Sequence, residues 1–76
     1  MPTLFRAFGL RFFFYSNEHL PIHVHVSNSD GEAKYNMNTM KWIKNQGIKS
    51  KDLNLSESLI KENKDLIIKH WNNHFN

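Results

Sequence analysis

Apolar residues along this chain recur at every second position as far as about residue 47, and at roughly every 3.6 positions after Ser50. That change of period predicts strands followed by helix. Residues 3 to 15 read as a hairpin, with β-prone runs Thr3 to Phe8 and Leu10 to Tyr15 on either side of Gly9, which supplies the positive φ of a tight turn. Ser16, Asn17 and Glu18 form a polar corner, and Pro21 precedes a third strand, Ile22 to Val26, in which apolar residues alternate with histidine. The turn formers of Ser27 to Gly31 lead to a fourth strand, Glu32 to Asn38, and Met40 to Ile43 offers a fifth, ended by Gly47.

In the last third, Leu53, Ile60, Ile67, Trp71 and Phe75 share one stripe of a helical wheel. Ser50 is the expected N-cap, with Asn54 or Ser56 as places where the helix restarts. The expected fold is therefore α+β: a small antiparallel sheet of about four strands with one long C-terminal helix packed on one face. A single domain over residues 1–76 is expected, with sheet in 1–47 and helix in 48–76. A continuous helix over 51–75 spans roughly 35 Å, more than the strands can cover. Its far end is expected to overhang and offer a docking surface.

Size and composition restrict the chemistry. A chain of 76 residues without cysteine has neither disulfides nor thiolate ligands, so association with a partner or with a second copy is expected to steady it. No apolar run reaches the length of a signal peptide or membrane span, and a cytoplasmic protein with no membrane contact is expected. The net charge of +3 suits nucleic acid only weakly, because eight of the ten basic residues are lysines spread from Lys34 to Lys69.

Strand alternation divides the sheet into two faces. Leu10, Phe12 and Phe14, then Ile22, Val24 and Val26, then Ala33, Tyr35 and Met37 form apolar rows under the helix. Arg11, Phe13 and Tyr15, then His23 and His25, then Glu32, Lys34, Asn36 and Asn38 line the open face, provided that the strands pair in register and no bulge near Tyr15 separates Arg11 from the histidines.

Cationic, imidazole, phenol and carboxylate groups on one face suit acid/base work on an anionic substrate. His23 and His25 are the expected catalytic pair: one imidazole takes the 2′-hydroxyl proton of RNA and the other protonates the leaving oxygen, with Arg11 or Lys34 holding the phosphate. On this reading alanine at both positions abolishes activity and leaves the fold intact, since neither histidine is expected in the core; the plainer reading makes both merely polar residues on the wet side of a strand. A third reading has His19, His23, His25 and Glu18 converging on a metal. His70 and His74, four apart on the helix, lack the acidic residue of a zincin motif and read as surface histidines. The leading reading uses no cofactor and no metal. A noncatalytic module is the other class, with Phe13 and Tyr15 stacking bases between basic neighbours.

The start MPTLFRAFGLRFFFYSNEHLPIHVHV, the following GEAKY, the segment Gly47 to Leu53 and the ending ENKDLIIKHWNNHF together resemble the bacterial and archaeal domain-of-unknown-function family numbered 4160. RFFFYSNEH, HVHV, GEAK and a helix ending in Trp and Phe are the most specific parts. The chain departs where Leu20 and Ile22 flank a single Pro21, since the family commonly has consecutive prolines. The resemblance implies a small cognate protein of the family numbered 2442 encoded alongside, the two forming a toxin–antitoxin module in which this chain is the toxin, acting on RNA or the translation machinery. It also places Arg11, Tyr15, Glu18, His19, His23, His25 and Lys34 at motif positions. Tyr15, Glu18 and His19 are the expected substrate contacts.

Overall fold

The computed structural model describes residues 3–75. Five strands, β1 (Thr3–Ala7), β2 (Leu10–Phe13), β3 (His23–Ser27), β4 (Glu32–Asn36) and β5 (Lys41–Gln46), form one sheet in sequence order. Every neighbouring pair is antiparallel. Two helices follow, α1 (Ser50–Glu62) and α2 (Lys64–Phe75). The α+β architecture agrees with the sequence reading, with the fifth strand real and the helix divided. Among the described residues, no helix is long and apolar enough to cross a membrane.

Local chemistry fixes each turn. Phe8 and Gly9 both take positive φ, 54° and 76°, in a two-residue hairpin turn that pairs Ala7 with Leu10. Asn28 closes the β3–β4 turn by accepting the backbone N–H groups of Asp30 and Gly31, and Asn36 does the same for Asn38 and Thr39. Asn45 both accepts from Ile48 N–H and donates to its carbonyl, which directs the chain from β5 toward α1. Gly31 and Gly47 lie against each other's strands: a Cβ on Gly31 would run into the Gln46 carbonyl, and one on Gly47 would come within 2.6 Å of the Asp30 carbonyl oxygen.

The apolar face forms as alternation predicts. Leu10, Phe12, Phe14, Val24, Val26, Ala33, Tyr35 and Met37 are buried with Ile48, Ile60, Ile67 and Trp71 in one cluster, while Ile22, Leu53 and Phe75 are partly buried against it. Tyr35 keeps its hydroxyl satisfied by donating to Glu57 of α1 at 2.9 Å. Burial, then this carboxylate, raises its pKa to about 12.

The helical part differs from the sequence reading in three ways. Lys49, not Ser50, holds the N-cap position and makes no side-chain cap bond. Ser56 does not restart a helix; it is buried within α1 and donates to the Asp52 carbonyl at 2.7 Å. The single long helix is broken at Asn63, whose side-chain amide takes the Leu59 carbonyl at 2.8 Å while its own backbone sits at φ −108°, outside helical geometry. Among the described residues the far end does not overhang: Trp71 is buried edge-on to Phe14 at 5.3 Å, and Phe75 lies 5.8 Å from the same ring.

Replacing Trp71 by Ala should cost about 3–5 kcal/mol, read as a lower urea midpoint. Tyr35 provides an independent check. Its hydroxyl ionises near 10 when unfolded and near 12 when folded, so its contribution is full below pH 10 and fades as pH rises toward 12. Tyr35→Phe should remove that part of the alkaline loss of stability, seen as a wild-type-minus-variant difference that is level below about pH 9 and shrinks as pH rises from 10 toward 12.

Candidate functional site

β3 is the central strand, and residues 23 to 26 are all buried. Its odd positions lie on the sheet face opposite Val24 and Val26. There Phe13 lies opposite His25, His25 opposite Lys34, and Lys34 opposite Lys44; Ser27, Glu32 and Gln46 form the next row. The expected face is assembled, but its histidines are not on a wet surface: His23 is 3% and His25 7% exposed. Tyr15 stands edge-on to the His25 ring at 4.6 Å, and the segment between β2 and β3 brings Glu18 onto both imidazoles.

Glu18 Oε2 lies 2.9 Å from His23 Nε2 and 2.9 Å from His25 Nε2. His25 Nε2–H donates to it with hydrogen-bond geometry, whereas His23 Nε2 is close but not aligned and has no hydrogen-bond partner among the described residues. His23 Nδ1–H donates to the Pro21 carbonyl at 2.7 Å. On the far side of the His25 ring, Nδ1 is 3.5 Å from Glu32 Oε2, and the Glu32 carboxylate accepts the Tyr15 hydroxyl at 2.8 and 2.9 Å. The hydrogen bond to Glu32 raises the Tyr15 pKa, while burial lowers that of His25 against the pull of Glu18.

Of the expected site residues, the structure brings together His23, His25 and Glu18, with Tyr15 against His25. Lys34 stands directly across from His25. Arg11 is held apart: its guanidinium covers the Phe13 ring at 4.4 Å and donates to Thr3 Oγ1, with Phe13 between it and His25. His19 is exposed and takes no part in the cluster, so the ligand-type set that converges is Glu18, His23 and His25, with atoms all within 4.8 Å of one another. His23 also touches Trp71 of α2, ring centroids 5.1 Å apart, so replacing both histidines by alanine would open a cavity and is not structurally silent. Phe13, 2% exposed, is not available to stack a base.

Beside His25 lies a cavity of about 200 Å³ walled by Glu32, Ala33, Lys34, Lys44 and Gln46. Its lining residues include two lysines and one glutamate, a net positive set. Sequence reasoning missed Lys44 and Gln46. Alternation along β5 was the available signal, but a bulge between the Lys34–Lys44 and Tyr35–Trp42 pairs interrupts it.

In metal-free protein kept with chelator, an NMR titration should place the His25 midpoint below the ordinary 6.5. Glu18→Gln should move it lower still, because the carboxylate is what favours the imidazolium. A midpoint that rises in the variant would contradict this geometry.

The sequence pattern of a domain of unknown function, DUF4160, matches residues 9–72, which takes in every strand from β2 onward and most of α2. No curated protein and no solved structure matches the chain. The match spans the Glu18–His23–His25 cluster and both lysines of the cavity, and the chain belongs to the DUF4160 family.

Proposed function

We propose that this chain is the toxin of a toxin–antitoxin module and cleaves RNA in the cytoplasm, with Glu18, His23 and His25 as its reacting centre and Lys34 and Lys44 as its phosphate-holding edge. One observation carries the reading: His25 belongs both to the buried carboxylate–imidazole cluster and to the wall of the lysine-lined cavity. A phosphodiester in that cavity sets its non-bridging oxygens toward the two ammonium groups, which offset the charge that develops at phosphorus. The 2′-oxygen then attacks, the bond from phosphorus to the 5′-oxygen breaks, and a 2′,3′-cyclic phosphate and a 5′-hydroxyl result. The cluster accepts the 2′-hydroxyl proton and returns one to the leaving 5′-oxygen, so no net proton is consumed. A small cognate antitoxin, as kinship implies, would silence this face by covering it.

Induced expression in a bacterial host tests the reading. Wild-type chain should stop growth and fragment RNA, co-expression of the cognate small protein should relieve both, and Glu18→Gln, which keeps shape but not charge, should abolish both. Lys34→Ala with Lys44→Ala should slow cleavage by purified protein roughly 100-fold. A folded, fully toxic Glu18→Gln variant, or a harmless wild type that leaves RNA intact, would refute it.

A further inference from the structure

With both rings neutral and the carboxylates ionised, the protons of the Glu18–His23–His25 cluster leave two of its buried nitrogens without a hydrogen bond. The Pro21 carbonyl can only accept, so His23 Nδ1 carries the proton, and a neutral ring then turns its Nε2 lone pair on the Glu18 carboxylate 2.9 Å away. His25 spends its proton on the same oxygen, which leaves its Nδ1 lone pair facing the Glu32 carboxylate at 3.5 Å. His23 Nε2 and His25 Nδ1 are accordingly the two buried side-chain nitrogens without a hydrogen bond among the described residues. Charging both rings instead would set two imidazolium ions with centroids 5.2 Å apart in a largely buried cluster.

We propose that Glu18, His23 and His25 bind one divalent transition-metal ion of the zinc class, through Glu18 Oε2, His23 Nε2 and His25 Nε2. A single ion resolves both conflicts. With it on the two Nε2 atoms, each ring carries its proton on Nδ1: His23 donates to the Pro21 carbonyl, and His25 donates to Glu32, which Tyr15 holds from the other side. A carbonyl and a carboxylate on the far nitrogens are the usual outer partners of metal-ligating histidines.

Bonds of about 2.0–2.1 Å in a tetrahedral shell set ligand atoms about 3.3 Å apart: the two 2.9 Å contacts of Glu18 Oε2 open by a few tenths of an ångström, and the two imidazole nitrogens, within 4.8 Å of each other, come to the same spacing. Two imidazoles with one carboxylate suit zinc and its neighbours rather than magnesium or calcium. Three protein ligands leave the fourth position to water, as in catalytic rather than structural zinc sites. The ion's role in cleavage rests on the reading of the cluster as reacting centre, where water on the fourth position would take the 2′-hydroxyl proton in place of the ligating imidazoles; its binding does not rest on that reading.

The test uses full-length chain without a histidine tag, stripped by chelator, dialysed against Zn²⁺ and measured for bound metal by mass spectrometry and calorimetry. One equivalent should bind. Glu18→Gln, His23→Ala and His25→Ala should each weaken binding by more than about 100-fold, and Glu32→Gln by roughly 10-fold, as outer-partner losses do. His70→Ala with His74→Ala should leave it unchanged. Should an alanine variant misfold, X-ray absorption on the wild type still reads the ligand set, and two imidazoles with one carboxylate oxygen are expected. Folded wild-type protein that retains no metal, or binding lost only with His70 and His74, would overturn the site. One equivalent bound by protein that leaves RNA intact upholds the metal and refutes the RNA reading. RNA cleavage by protein that takes up no metal does the reverse.

Discussion

A central strand buried on both faces is the constraint around which this molecule is organised. Residues 23 to 26 are closed to solvent, yet only Val24 and Val26 are apolar. The valines are covered by the helices, which hydrophobic burial favours without further conditions. The two imidazoles on the other face can be buried only with polar partners, since an unpaired buried polar group costs about 1–3 kcal/mol. The segment between β2 and β3 therefore carries Glu18 back over the strand, and Glu32 and Tyr15 close the remaining side. Packing on one face and charge pairing on the other are consequences of one five-residue strand.

The break at Asn63 connects the two faces. Divided, the helical part sets Trp71 against Phe14 on the apolar side and against His23 at the end of β3. The indole thus touches core and cluster together, and His23 is held by a carbonyl, a carboxylate and an aromatic ring from three separate segments. A ring so constrained has little freedom to reorient, which is the condition for presenting one nitrogen in a fixed direction.

Periodicity made most of the sheet legible. Alternation in β2, β3 and β4 sorted Phe12 from Phe13 and Val24 from His25 correctly, because side chains in a paired strand have only two directions to point. It could not show that the second face is covered. That depends on where Glu18 returns in space, and a polar corner such as Ser16 to Glu18 carries no periodic signal of its path. The same limit hid the exposure of His19, one position away from a residue at the centre of the cluster. The helix break was equally invisible: the apolar stripe runs on in phase through Asn63, where backbone and side chain both donate to the Leu59 carbonyl while φ leaves the helical range. Lys44 escaped because the fifth strand was expected over Met40 to Ile43, whereas β5 runs on to Gln46.

The glycine pair at the end of β4 and β5 has a bearing on how this face varies among relatives. Gly31 and Gly47 let the turn after β3 press directly on the backbone that leaves β5, beside the Glu32 and Gln46 rim of the cavity. Main chain, not side chains, sets the separation at that end. Sequence drift can exchange the groups that line the opening, but it has little means of widening it there, since any larger residue at either glycine displaces a strand. Family members should accordingly differ in the chemistry of this opening more readily than in its breadth.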